Sequence, residues 1–131
     1  MNLDISTSQR KVRTEVFRLV DAGLATTATA ADTDGAVIGA HLGTVKKDGS
    51  TAGLYTIVLN RPFAVAPAVV ATPLHATKLM HATIVSVTTS TIVIQTVEGE
   101  TAAGSVPAKT AATELHVLIT GLDTQDLSYD A

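Results

Sequence analysis

The 131-residue sequence contains no cysteine and no tryptophan, and its aromatics are two phenylalanines and two tyrosines. Without thiols there is neither a disulfide scaffold nor thiolate chemistry. Charge is sparse as well: 16% of residues are Asp, Glu, Lys or Arg, against roughly 25% in an average domain. The formal net charge of −3 provides no global basic field to attract nucleic acid. The longest apolar stretch, residues 63–71, is short and broken by Pro67, so it cannot span a bilayer. The first residues lack a charged segment followed by an apolar one, and no secretory signal or membrane step is expected.

What is present is alanine, threonine and valine, within a chain that is 46% hydrophobic. Threonine and valine favour strands because a branched Cβ fits a pleated surface. So few charges leave a small domain short of polar cover, and burying part of its surface against copies of itself resolves the shortage. A homo-oligomer is the expectation.

Period-two alternation marks the strands. Residues 12–20 set Thr14, Val16 and Arg18 against Glu15, Phe17 and Leu19. Residues 21–35 are rich in Ala, Thr and Asp and read as a loop or the seat of a short irregular strand. Residues 37–45 read as the next strand, and Asp48-Gly49 as a tight turn supplying positive φ. In residues 54–59 both faces are largely apolar, which predicts a central strand covered on both sides. Pro67 and Pro73 bracket a short strand, since proline cannot donate to a ladder. Strands at 78–87, 91–97 and 114–120 follow, with a loop over 98–112. The pattern predicts an all-β fold, an antiparallel β-sandwich or jelly-roll-like domain of about seven to eight strands. Residues 1–11 read as an extended arm, 12–122 as the sandwich and 123–131 as a tail.

Catalytic patterns do not emerge. His75 and His81 are the nearest histidine pair, with no third ligand beside them, and His41 and His116 stand apart; no metal site is expected. No serine lies in a nucleophile elbow. Asp32 with Asp34, and Glu98 with Glu100, sit in polar segments where nothing would desolvate a carboxyl group. Asp32-Thr33-Asp34-Gly35 lacks the downstream glutamate of a calcium loop. No phosphate-binding glycine pattern precedes a helix. The expectation is a protein that is not an enzyme and carries no cofactor. A basic cluster near the amino end, Arg10, Lys11, Arg13 and Arg18, reads either as a solvated strand face or as a contact for an acidic partner surface.

One order of motifs extends the reading. Gly53-Leu54-Tyr55-Thr56-Ile57-Val58-Leu59 leads to Pro62-Phe63 and then to Ala66-Pro67-Ala68-Val69-Val70-Ala71-Thr72. After these come Ser86-Val87-Thr88-Thr89-Ser90 and Leu115-His116-Val117-Leu118-Ile119. This order resembles small β-sandwich virion proteins of tailed bacteriophages, related in outline to C1q-like and H-type lectin domains. The resemblance implies a jelly-roll-like homotrimer made in the host cytoplasm and carried on the virion. The leading expectation is a capsid decoration, or cement, protein whose partner is the major capsid protein, with Arg10, Lys11 and Arg13 as candidate shell contacts. The alternative is a receptor-binding domain of a tail fibre or spike, or a lectin-like module. Sugar binding usually needs ring stacking, and Phe17, Tyr55 and Phe63 fall at expected core positions.

Overall fold

Strands that alternate apolar and polar residues must bury one face, and two stacked antiparallel sheets do so here. A computed structural model describes residues 10–26, 29–30, 37–38, 42–99 and 107–126. They include nine strands: β1 Arg10–Val20, β2 Thr29–Ala30, β3 Val37–Ile38, β4 Leu42–Lys47, β5 Leu54–Leu59, β6 Ala68–Leu74, β7 Met80–Val87, β8 Thr91–Glu98 and β9 Glu114–Asp126. One sheet has the order β3-β1-β9-β6 and the other β2-β4-β5-β8-β7. Every ladder is antiparallel. Among the described residues the one helical turn is Asp21–Gly23. The fold is the all-β sandwich that the alternation predicts.

The core lies between the sheets. Phe17 and Leu19 on β1 and Leu115, Val117 and Ile119 on β9 face Val45, Tyr55, Ile57, Leu59, Ile92 and Ile94. Phe17, Tyr55 and Phe63 are buried, as their positions predict. The Tyr55 hydroxyl donates to Asp21 Oδ1 at 2.8 Å. Lys47 Nζ donates to the Asp21 carbonyl at 3.0 Å, fixing the helical turn over β4. Burial first, and then the Asp21 carboxylate, push the phenol well above its ordinary pKa, so it remains a neutral donor.

Several local expectations change. The stretch 37–45 is not one strand: β3 pairs with β1 and β4 with β5, in different sheets. β5 is central in its sheet, but Leu54, Thr56 and Val58 are only partly covered. Positive φ falls on Gly53, at 74°, rather than on Gly49. The Asp48 carboxylate instead accepts from the backbone of Ser50 at 3.0 Å and Thr51 at 2.6 Å, so the turn is built by a side chain as well as by glycine. Pro73 lies inside β6 rather than at its boundary, which an edge strand tolerates. β1 starts at Arg10, inside the segment read as an arm, and β9 runs to Asp126, inside the segment read as a tail.

β9 outlasts its expected end because it has partners beyond Thr120. Gly121 pairs with Arg13 and Leu122 with Val12. The Pro62-Phe63 corner also closes onto it, with Phe63 bridging Asp123 and Ala64 N donating to Leu122 O at 2.8 Å. Gly121 makes room for that corner: a Cβ there would stand 3.0 Å from Pro67 Cβ and 3.1 Å from Phe63 Cδ1. Residues 1–9 and 127–131, the rest of the expected arm and tail, lie outside the described residues.

Candidate functional site

Strand parity separates the charges of β1. From Arg13 to Leu19 odd positions point inward, so Arg13 and Glu15 are buried beside Phe17 and Leu19, while Thr14, Val16 and Arg18 point out. Arg13 is 8% exposed. Its guanidinium lies over the Phe63 ring, 3.9 Å from the centroid. It donates through NH1 to Asp123 Oδ1 at 3.1 Å and through NH2 to the Arg61 carbonyl at 2.7 Å. Arg61 in turn donates to Asp123 Oδ2 at 2.7 Å. Arg13, expected as a shell contact, is therefore an internal pin between β1, β9 and the 61–63 corner. Lys11 is exposed, and Arg10 pairs with Asp126 at the end of the β1–β9 ladder.

The fourth cation of the basic cluster, Arg18, is on the outer face. It donates through Nε to Glu114 Oε2 at 3.1 Å, and His116 Nε2 stands 3.0 Å from the same oxygen. The Arg18 hydrogen bond, followed by that of His116, pulls the Glu114 carboxyl down to about 2. A carboxyl group whose folded pKa is lowered stabilises the fold above its unfolded pKa, and loses that effect as pH falls through the folded value. Melting temperature should therefore decline between the ordinary carboxylate range and about pH 2. Glu114→Gln should make that decline shallower in a thermal-melt pH series. An unchanged slope would mean the pairing contributes nothing to stability.

From Val12 to Val16 and opposite them on β9 and β6, the outer face sets apolar side chains among threonines. Among the described residues nine large hydrophobic side chains are exposed, and six of them (Val12, Val16, Val70, Leu74, Leu118 and Leu122) belong to β1, β6 and β9. The opposite sheet contributes one, Val85. Register assembles the six into rows. Val16 stands opposite Leu118, which stands opposite Val70, so one apolar row crosses three strands. Beside it Thr14, Thr120 and Ala68 form a second row, and the two threonine hydroxyls lie 2.9 Å apart. Val12 opposite Leu122 forms a third. At the other end an open cleft lined by Leu74, His75, Ala76, Thr113 and Glu114 continues the face.

Exposed strand faces normally alternate towards polar residues. Contiguous apolar patches larger than a few hundred Å² mark contact surfaces. The sequence shows Val12 and Val16 at alternate positions, but not that Leu118 and Val70 stand beside them. That adjacency depends on register between segments some fifty to a hundred residues apart.

The expected polar candidates do not converge. His75 Nδ1 accepts from Thr77 N at 3.2 Å, His81 is exposed on β7, and Glu98 pairs with Lys78 at 3.2 Å. His41, Asp32, Asp34 and Glu100 lie outside the described residues. Among the described residues no three His, Cys, Asp or Glu side chains are placed to hold a metal ion, and no helix is long and apolar enough to cross a membrane. Compared with known proteins, the chain matches no family model, no curated protein and no solved structure.

Proposed function

We propose that this chain is a structural, self-associating subunit, and specifically a capsid decoration protein of a tailed bacteriophage that binds and stabilises the major capsid shell. The observation that carries the structural part is the apolar outer face of the β1–β9–β6 sheet on a chain with little charge elsewhere. An apolar sheet face of that kind marks a contact surface more often than a free one. The virion assignment rests on the motif order from Gly53 to Ile119 and on the sandwich that those motifs build. The Pro62-Phe63 corner packs on β9, and the segment after Pro67 forms the edge strand β6.

Attachment to the shell would use Arg10 and Lys11 of the basic cluster, since Arg13 is already engaged inside. Contacts of rim charges weaken with salt because exposed charges are screened beyond about 10 Å at 0.1 M. Shells lacking the protein should take it up from solution, less completely as salt rises. The pair of substitutions Arg10→Glu and Lys11→Glu should lower uptake by about tenfold at low salt, a change equivalent to about 1.4 kcal/mol. Equal uptake of the substituted and parent chains, measured by co-sedimentation with the shells, would remove these two residues from the contact.

A further inference from the structure

We infer that the apolar outer face of the β1–β9–β6 sheet is covered by the same face of a second copy of this chain, forming an isologous pair. Size is the first argument. β1 has 11 residues, β9 13 and β6 7. At ~3.3 Å per residue and ~4.8 Å between strands, the three strands have a flat footprint of roughly 490 Å². Doubled for two copies, that is about the ~1,000 Å² of total area at which specific interfaces begin.

Charge is the second argument. Arg18 and Glu114 neutralise each other at the rim, and the rows from Val12 to Val16 carry no charge. Two such faces meet without like-charge repulsion, whereas an oppositely charged partner would find nothing to pair with. Shape is the third. A twisted sheet studded with valine, leucine and threonine packs against another such sheet at about 10 Å. The chain itself supplies that second sheet.

Symmetry narrows the arrangement. A closed ring of three needs two different complementary patches on each copy, whereas a two-fold pair needs one self-complementary patch. Among the described residues six of the nine large exposed apolar side chains gather on this one face, while Val85 lies on the other sheet and Val65 and Leu79 lie singly outside the strands. The face therefore fits a two-fold pair, and larger assemblies would be built from such pairs. This inference rests on the self-association in the proposed function but not on the virion assignment, so the two can fail separately.

The test uses the full chain in sedimentation equilibrium at micromolar concentrations, with circular dichroism to verify folding. The parent should give twice the 13.5 kDa chain mass. Val16→Lys combined with Val70→Lys should raise the dissociation constant at least ~100-fold and give the monomer mass, because two ammonium groups would have to be desolvated at the centre of the contact. If that variant fails to fold, Val16→Thr with Val70→Thr keeps the β-branched shape and should weaken the pair by about tenfold or more. Val85→Lys on the other sheet should leave the mass at twice the chain. A parent that is monomeric throughout overturns the inference. A folded face variant that still associates as tightly as the parent, or a trimer that the substitutions leave intact, also overturns it.

Discussion

Replacing Asp123 by alanine should destabilise the fold by about 3–5 kcal/mol, the usual consequence of removing one partner of a buried ion pair. Asp123 is 1% exposed and receives hydrogen bonds from both Arg13 and Arg61. Its loss leaves the Arg13 guanidinium buried against the Phe63 ring without that counter-charge. A domain of this size is stable by some 5–15 kcal/mol, so the change would consume a large part of the total. Urea unfolding should show a midpoint far below the parent's. Two companions separate charge from packing. Arg61→Ala should cost less, because Arg61 is partly exposed and Arg13 still holds the carboxylate. Arg13→Met with Glu15→Leu and Asp123→Leu should recover much of the loss, since Glu15 also pairs with Arg13 at 3.5 Å and a well-packed apolar cluster can replace a buried ionic one only when all its inward charges go together. A triple variant no better than Asp123→Ala would show that the cluster's hydrogen bonds, rather than its unbalanced charge, dominate.

Gly53→Ala should cost about 2–4 kcal/mol. Two penalties combine there. The backbone is at φ 74°, where an L side chain is strained, and a Cβ would run into the Thr110 carbonyl and Thr96 Oγ1. Those atoms cannot move away cheaply. Thr96 is fully buried, its N–H donates to the Gly53 carbonyl at 2.8 Å, and its hydroxyl donates to the Thr110 carbonyl. This knot ties the turn before β5 to the segment leading into β9. Melting temperature should fall by roughly 10 °C, at a few degrees per kcal/mol for a chain of this length. Gly49→Ala is the control, since a Cβ there meets only Thr26 side-chain atoms at 3.6 Å and 3.7 Å; it should change stability by less than ~0.5 kcal/mol. Equal effects at the two glycines would contradict this account of the turn.

The contrast between those glycines shows where sequence reasoning ends. Asp48-Gly49 carries a strong hairpin signature, and a turn does lie there between β4 and β5. Which glycine must adopt positive φ depends on the Thr96–Thr110 contact, some forty to sixty residues further along the chain. Period-two alternation identified β1, β5, β7, β8 and the first half of β9, because burial of one face imposes it directly. It failed beyond Thr120, where Gly121, Asp123 and Thr124 resemble a turn until their partners on β1 and at the 61–63 corner are known. Arg13 misled for the same reason. It follows Arg10 and Lys11 closely in sequence, and its partner Asp123 is 110 residues away. The outer apolar face was half visible, as alternate valines on β1, and became a surface only when register set Leu118 and Val70 beside Val16.

The central proposal, that this sandwich decorates a phage head, is tested most directly by imaging virions carrying gold-labelled antibody against the chain. The account expects label over the capsid surface, in many copies per head, and its loss from heads of a phage lacking the chain. Label confined to the tail tip or fibres, or absent from the particle, would contradict the decoration role. Tail label would point to receptor binding instead.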